Sequence, residues 1–429
     1  MATRSQVGGN LPRRMDPARM LPPEILVRIF RWCDPSRDGV YTNGFLIKET
    51  PWLLTHVSSL WRNVAISTPI LWRHLSVKFN ARNSLAEKQY NNVEGTFHLT
   101  NLFLKRSVQC PLEVYISGDL TTAVWPVLER IMTSCERWEA LTVFADGPLI
   151  QSLVPIKGRL PNLGTLEVTR GDADEESPNT TVDLFSLVPA LYEGTFRYDP
   201  AFVLLLPWNQ LTTLKTGYSE IGPILDTLRQ LTNLMYLTLD RFADDTPMEE
   251  FPPAYLPRLR ELELTIESGE EGHHGALLDC LVLPSLDCLS IDCEDLAVAP
   301  HLTALLGRSN CPLDSITLTL LDELDARLAG VLVLTPHLTV LEVTGTIAKD
   351  VLLEQLTLVP DSESQLVPRL RELSFRARVD QARVLHLITS RVGVLRYFGL
   401  ALEVEDIEAV LANGFYNLGD VGITTELLR

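Results

Sequence analysis

The segment LPRLRELEL, residues 256–264, places leucines at positions 259, 262 and 264 with charged residues between them. Such alternation is typical of a β-strand that turns one face toward a core. The same L-x-x-L-x-L spacing recurs along the chain, usually after a proline or a polar residue. Clear copies begin at positions 163, 286, 313, 338 and 370, weaker ones at 138, 191, 211, 234 and 395, and the weakest at 112.

The copies follow one another at intervals of 20 to 32 residues, which cluster near the period of a leucine-rich repeat. Apolar sets at helical spacing lie between them, such as Ile221, Ile224, Leu225 and Leu228 before one copy and Leu302, Leu305 and Leu306 before another. Because one strand and one helix cannot close a core alone, we expect the units to stack. The predicted fold class is α/β, an irregular leucine-rich-repeat solenoid with parallel strands on the concave side and helices on the convex side.

Residues 21–75 follow a different pattern. Pro22 and Pro23 favour a helix start, and helical spacing then gives one apolar stripe of Ile25, Leu26, Ile29 and Phe30. Thr50 as N-cap and Pro51 just inside the helix predict a second helix with the stripe Leu53, Leu54, Val57, Leu60, Trp61 and Val64, and Thr68-Pro69 predicts a third. A helical segment this small is marginal alone. It is either a cap packed on the rest of the chain or a docking module whose apolar edge a partner completes.

The pattern LPPEIL-x-x-IF, then V-x-x-x-W-R-x-x-A, then S-T-P-x-L-W resembles the F-box in the variant abundant in fungal genomes. An F-box docks a substrate receptor on the Skp adaptor of a cullin-type ubiquitin ligase. Two departures are the long polar segment 34–49 between the first helices and Ser58, where a cysteine is common. The resemblance places the following residues at or behind the adaptor interface: Leu21, Pro22, Ile25, Leu26, Ile29, Val57 and Trp61.

An F-box followed by an irregular leucine-rich array looks like the fungal F-box family over nearly the whole chain. The array departs from the usual repeat, since Gly171, Glu267, Glu294 and Thr346 stand where asparagine or cysteine is expected after the strand. We therefore expect uneven curvature. The predicted organisation is a mobile tail (1–18), the F-box module (19–78), a connector (79–96) and the solenoid (97–429), closed by a cap made of a helix over 406–411 and the last residues.

Charge is distributed unevenly over the 429 residues, whose formal net charge is −18. Residues 1–78 contain 11 Lys and Arg against 5 Asp and Glu, so the remainder is strongly acidic. Because phosphate binding needs a basic surface, nucleic acid is an unlikely partner of this remainder. The charge fits an acidic partner for residues 1–78 (the head) and a neutral or basic partner for the remainder of the chain (the body). It is equally compatible with acidity that only keeps the body soluble.

The location of the protein is predicted from its cysteines and its apolar segments. The seven cysteines are odd in number, scattered and without a C-x-x-C pair, which favours reduced thiols in the cytosol or nucleus. The N-terminal residues lack the apolar segment of a signal peptide. Because no apolar run approaches the length of a membrane span, we expect no association with a membrane.

Catalytic motifs are missing from the sequence, which contains no GxSxG, phosphate loop or HExxH, so we expect neither enzymatic activity nor a cofactor. His273 and His274 near Cys280 could suggest a metal site, but adjacent histidines rarely provide tetrahedral ligation, and a solvated loop is the preferred interpretation. The acidic run 172–176 is also interpreted as a solvated loop.

The sequence therefore predicts a substrate-recognition subunit of a Skp–cullin–F-box ubiquitin ligase whose repeats bind a target protein. The alternative is a ligase-independent leucine-rich-repeat scaffold or regulatory binding protein. Outward-facing strand positions predict the target-binding residues, and their acidity suggests a basic target: Glu167, Asp240, Glu263, Asp292, Glu342 and Arg376. In the competing interpretation these are ordinary solvent-facing strand residues, and the target binds the loops or the C-terminal end.

Overall fold

A computed structural model describes most of the chain as two compact units, residues 1–163 with 171–173 and residues 164–170 with 174–429. The described residues are 21–33, 50–79, 93–118, 124–170, 180–197, 202–217, 221–243, 251–267, 275–294, 296–321, 323–347, 350–359, 365–378, 380–401 and 423–428. The structure is α/β with an extensive parallel sheet. Among the described residues, no helix combines the length and the apolar character needed to cross a membrane.

The first unit begins with helices and continues with alternating strands and helices. Its three strands form a parallel sheet in the order β1-β2-β3. A short 3₁₀ turn, Pro69–Trp72, precedes β1. Its regular elements are α1 (Pro23–Trp32), α2 (Trp52–Val57), α3 (Ser59–Ile66), β1 (His74–Phe79), α4 (Val93–Arg106), β2 (Leu112–Gly118), α5 (Trp125–Met132), β3 (Trp138–Ala145) and α6 (Gly147–Ser152).

The start of α1 is as predicted. Pro22 precedes the helix, and its carbonyl accepts hydrogen bonds from the amides of Ile25 and Leu26 at 3.0 and 3.1 Å. The predicted cap of the second helix is wrong. α2 begins at Trp52, and the Thr50 hydroxyl instead donates to the Cys33 carbonyl at 2.7 Å, which ties the end of α1 to the start of α2.

The second predicted helix is also interrupted. Ser58 has extended backbone angles, φ −156° and ψ 168°, so α2 ends at Val57 and α3 begins at Ser59. The Ser58 hydroxyl accepts a hydrogen bond from the Trp61 amide at 3.1 Å and caps α3. Because a serine at this position can satisfy a free helix amide, a local cap competes successfully with a continuous helix.

We expect Ser58→Ala to lower the free energy of unfolding by about 1 kcal/mol, because the variant leaves the Trp61 amide without its cap. Denaturant unfolding measures the change. Ser59→Ala, at the exposed first position of α3, is the matched control and should change stability little. An equal loss in both variants would contradict the capping role of Ser58.

The second unit contains eleven strands that form a parallel sheet, and their spatial order follows their order in the chain. Its elements are β4 (Thr165–Arg170), β5 (Thr180–Val182), β6 (Glu193–Arg197), β7 (Phe202–Leu204), β8 (Thr213–Gly217), α7 (Ile221–Leu228), β9 (Tyr236–Ala243), β10 (Ala254–Tyr255), β11 (Glu261–Glu267), α8 (Ala276–Asp279), β12 (Leu281–Val282), β13 (Cys288–Cys293), α9 (Ala299–Ser309), β14 (Ser315–Leu320), α10 (Ala326–Leu332), β15 (Val340–Ile347), α11 (Asp350–Leu356), β16 (Glu372–Arg378), α12 (Gln381–Ser390), β17 (Tyr397–Ala401) and β18 (Thr424–Leu428).

The leucine pattern sets the inner face of this sheet. Leu259, Leu262 and Leu264 are all buried, and the equivalent apolar residues of the other clear copies are buried too. The register aligns these positions across neighbouring strands, for example Leu262 with Leu289 and Leu264 with Ile291. The apolar sets predicted to be helical form α7 and α9. The repeat pattern therefore predicted both the strands and the inward face.

The sequence predicted one strand and one helix in each repeat, but some repeats have no helix. Between β4 and β8 the described residues contain no α-helix, and β5 instead pairs with β7 in a separate two-stranded parallel sheet. β10 and β12 form a second such pair. The copies that begin at 191 and 211 are only 20 residues apart, which leaves little chain for a helix and its two connections.

Three arginines connect helix ends to the preceding repeat. Arg137 donates to the Cys110 carbonyl and the Ser107 hydroxyl, and Arg308 donates to the carbonyls of Leu278 and Leu281. The third, Arg391, is fully buried and donates to three carbonyls, those of Leu356, Leu366 and Val367. These contacts stabilise the stacking of one repeat on the next.

Several predictions concern the boundaries between segments. β1 begins inside the predicted F-box module, ends at the first residue of the predicted connector and pairs with β2, while α4 begins inside that connector. The predicted tail (1–18), the segments 34–49 and 172–176, His273-His274 and the helix over 406–411 lie outside the described residues. Of the predicted C-terminal cap, the last residues form β18, which pairs with β17.

Candidate functional site

Helix α1 has two apolar stripes. Leu26 and Phe30 are fully buried, whereas Ile25 and Ile29 are 40% and 39% exposed and Trp32 is 75% exposed. Pro22, Ile25, Ile29 and Trp32 are spaced three or four residues apart and lie on one side of the helix. We call these four residues the α1 stripe. A helix that is apolar on its solvent side as well as its core side is unusual for a surface element.

The buried stripe fixes the orientation of α1. The rings of Phe30 and Trp61 lie 5.0 Å apart between centroids, and α1 packs on α3. Trp61 is half-buried by this contact and its amide is held by Ser58. Because Leu26 and Phe30 are on the buried side of the helix, Ile25 and Ile29 face away from the core.

Helix α2 has a second exposed apolar pair, Leu53 and Val57, at 48% and 54% exposure. We call it the α2 pair. These residues are one turn apart, whereas Trp52 and Leu54 of the same helix are buried. Leu53 was assigned to the stripe of the second helix but not to the adaptor interface. Its exposure, like that of Trp32, could not be read from spacing alone.

An aromatic cluster behind α2 anchors the helices to the following repeat. Trp72 is fully buried and its indole N–H donates to the Ala65 carbonyl at 2.8 Å. The rings of Trp52, Trp72 and Phe103 meet edge to face, with centroids 5.0 to 5.7 Å apart. The Arg106 guanidinium lies 4.3 Å from the Trp72 ring centroid, and burial lowers its pKa. The side of this segment that carries Trp52 and Trp72 therefore packs on α4. This packing is what the interpretation as a cap on the rest of the chain expects.

The predicted adaptor-binding residues divide by exposure. Pro22, Ile25, Ile29 and Val57 are exposed, Leu21 and Trp61 are half-buried, and Leu26 is buried behind the helix. Their assignment to a partner stays a prediction. One side of this segment is covered by α4, whereas the α1 stripe and the α2 pair are exposed.

The outer face of the sheet is a second candidate site. The register aligns one outward residue from each strand in a continuous row: Glu167, Thr195, Lys215, Thr238, Glu263, Ser290, Thr317, Glu342 and Ser374. A second row contains Thr265, Asp292, Thr319, Thr344 and Arg376. All six predicted target-binding residues lie at outward strand positions, with Asp240 aligned to Gly217.

Several details of this face differ from the prediction. Arg376 was the only basic residue among the predicted positions, but Lys215 lies in the same row as Glu263 and is exposed. Arg376 also forms an ion pair with Glu342 at 3.3 Å. Ser374, which is aligned with Glu342 at an outward position, is buried. The outward position of Lys215 could have been predicted from the sequence, because the weaker repeat copy that begins at 211 shows the same alternation of inward and outward residues.

Carboxylates are concentrated on five neighbouring strands of the large sheet, β9, β11, β13, β14 and β15. Their outward positions contain Asp240, Glu261, Glu263, Asp292 and Glu342, which we call the acidic face. None of the outward residues is basic within the ranges 236–240, 261–265, 288–292, 315–319 and 340–344. Burial, together with the nearby carboxylates of Asp287, Glu261 and Asp314, raises the pKa of Cys288 to about 11.

All seven cysteines are free thiols in the structure. Cys33 is exposed, whereas Cys135 is fully buried and burial raises its pKa. We expect a neutral alkylating reagent at pH 8 to modify Cys33 first in the folded chain. For Cys288, with a pKa of about 11, only about 1% is thiolate at pH 9, so its rate should rise about tenfold per pH unit up to about pH 10.

Mass spectrometry of peptides after timed alkylation measures these rates. All seven thiols should react under denaturing, non-reducing conditions. Equal rates for Cys33 and Cys288 at pH 8 would contradict the assigned environments.

Groups of three or more histidine, cysteine or acidic residues arranged to hold a metal ion are not found in the part of the chain that the structure describes. Neither a set of known family models nor the curated proteins contained a match to the sequence.

Proposed function

We propose that the chain is the substrate-recognition subunit of a Skp–cullin–F-box ubiquitin ligase. In this proposal residues 19–78 are the F-box, and α1 and α2 dock on a Skp-type adaptor that connects them to a cullin. The repeats form an irregular leucine-rich-repeat solenoid, with strands on the concave side and helices on the convex side, and they bind a target protein. The chain itself catalyses nothing and needs no cofactor.

One observation supports the docking role above the others. The α1 stripe is exposed, and three of its residues, Pro22, Ile25 and Ile29, are positions that the sequence pattern assigns to the adaptor. An apolar helix face exposed beside a buried core is typical of a surface that a partner covers. The aromatic cluster explains why the helices keep their orientation without that partner.

The repeats support the receptor role. Their strand order follows the chain, and most of their outward residues are polar on a sheet of eleven strands in the second unit. Such a surface can bind a target while α1 and α2 bind the adaptor and so connect the chain to the ligase. Ubiquitin transfer would then be accelerated by proximity alone. The free thiols are compatible with the cytoplasm or nucleus, where such ligases act.

Co-expression of the full chain with a Skp-type adaptor tests the proposal. We expect the two proteins to co-purify and to elute together in gel filtration. An adaptor that does not co-purify with a folded chain would instead favour the ligase-independent scaffold.

A further inference from the structure

The spacing of the carboxylates on the acidic face matches that of cationic groups on an extended chain. Glu261 and Glu263 lie two residues apart on β11, about 7 Å along the strand. Asp292 lies on the adjacent strand, β13, in register with Thr265, and neighbouring strands are about 4.8 Å apart. Glu263 therefore lies about 7 Å from Glu261 and about 8 Å from Asp292, on a surface without a basic group of its own.

The residues between the carboxylates are small and polar. Besides the carboxylates, the outward positions of β9, β11, β13, β14 and β15 contain five threonines and two serines, together with Tyr236, Cys288 and Val340. The Thr238 hydroxyl donates to the Glu263 carboxylate at 3.1 Å, which orients that acceptor. Such a surface offers hydrogen bonds and negative charge but few apolar anchors, so it favours a polar cationic ligand over an apolar one.

A buried hydroxyl at the border of this face has no partner. Ser374 is aligned with Glu342 and is only 8% exposed, yet its oxygen makes no hydrogen bond to any described residue. Alternation along β16 directs its side chain to the outer face, since Leu373 and Phe375 are in the core. A buried polar atom without a partner is costly, and a bound donor beside Glu342 would satisfy it.

The acidic face has a basic residue on each side. Lys215 on β8 lies in register with Thr238, and Arg376 on β16 is paired with Glu342. The five strands between them span about 19 Å. This width corresponds to about six residues of extended chain, and the flanking bases would repel a longer cationic run.

We propose that the acidic face binds a short, extended segment of the target that carries several lysines or arginines. The proposal rests on the proposed function in taking the ligand to be a protein target, and it adds the chemical class that is recognised. Binding is electrostatic, so salt weakens it. The carboxylates of Glu261, Glu263 and Asp292 make the main contacts, and Glu342 contributes less because Arg376 already neutralises it.

The test uses the full chain and two fluorescent eight-residue probes, one alternating arginine with serine and one alternating glutamate with serine. Fluorescence anisotropy should show saturable binding of the arginine probe at 50 mM salt, weakening at 300 mM salt, and no binding of the glutamate probe. The triple variant Glu261→Gln, Glu263→Gln, Asp292→Asn should weaken binding about tenfold. The matched control Glu94→Gln, Glu129→Gln, Asp226→Asn changes the net charge equally and should bind as the wild type does.

A second variant should strengthen binding. Arg376→Ser removes the partner of Glu342, so the arginine probe should bind about threefold more tightly. Equal loss in the triple variant and its control, or no gain with Arg376→Ser, would overturn the assignment. Because co-purification with the adaptor is measured on the same variants, the outcomes are separable. Failure of the folded wild-type chain to bind the adaptor overturns only the ligase proposal, and failure of that chain to discriminate between the two probes overturns only this one.

Discussion

Arg391→Met is expected to lower the free energy of unfolding by about 3–5 kcal/mol, because it leaves buried carbonyls without their charged donor. The Arg391 guanidinium donates to the carbonyls of Leu356, Leu366 and Val367 at 2.5 to 3.0 Å. Burial lowers its pKa to about 10, so the group is still charged at neutral pH. Methionine fills much of the volume but supplies no hydrogen-bond donor.

Denaturant unfolding of the full chain measures this effect. Arg396→Met, at an exposed arginine a few residues away, is the matched control and should change stability by less than about 0.5 kcal/mol. Arg391→Lys should recover only part of the loss, since one ammonium cannot reproduce the planar fork. Unfolding at the same denaturant concentration for Arg391→Met and the control would show that the contact is not stabilising.

The double variant Ile25→Glu, Ile29→Glu is expected to weaken adaptor binding at least about 100-fold. Burying an aliphatic side chain contributes about 1.5–3 kcal/mol, and a carboxylate placed in an apolar interface adds a desolvation cost. Both residues point away from the core of the module, and glutamate is a good helix former, so the fold should be retained. Surface binding to immobilised adaptor measures the change.

The control for this variant is Leu334→Glu, Val351→Glu. These side chains are similarly exposed, at 41% and 50%, but lie in the second unit. The control should bind the adaptor as the wild type does, and thermal unfolding should be alike in all three proteins. Full adaptor affinity in the Ile25 and Ile29 variant would remove the α1 stripe from the interface.

The repeat strands were predictable because their signal is local. In L-x-x-L-x-L the apolar residues are two and three positions apart, and burying them fixes both the inward face and the register. Even the weak copy that begins at Trp138 forms a strand, β3, with Trp138 fully buried. α7 and α9 were equally predictable from helical spacing.

Contacts between repeats could not be predicted from local spacing. An asparagine ladder after the strands was not expected, yet a partial ladder occurs before them. Asn162 donates to the Glu136 carbonyl, Asn233 to the Asn209 carbonyl and Ser285 to the Pro257 carbonyl. Each bond joins one repeat to the preceding one, over 24 to 28 residues. The burial of Arg391 depends on the same stacking, which is a tertiary property.

The candidate docking site was predictable in part. Helical spacing identified Ile25, Leu26, Ile29 and Phe30 as one stripe, but the structure divides them, with Leu26 and Phe30 buried and the isoleucines exposed. The division depends on the contact of Phe30 with Trp61, whose position depends on the break at Ser58. The spacing of apolar residues does not show the break at Ser58. The break depends on one hydrogen bond, from the Trp61 amide to the Ser58 hydroxyl, and apolar spacing alone also fits a continuous helix.

Calorimetric titration of the full chain with a purified Skp-type adaptor tests the docking proposal most directly. We expect saturable binding with one adaptor per chain and a negative heat-capacity change, because the α1 stripe and the α2 pair leave water on binding. The Ile25→Glu, Ile29→Glu variant should lose that signal while the Leu334→Glu, Val351→Glu control retains it. A folded wild-type chain that gives no saturable heat at several temperatures would contradict the account.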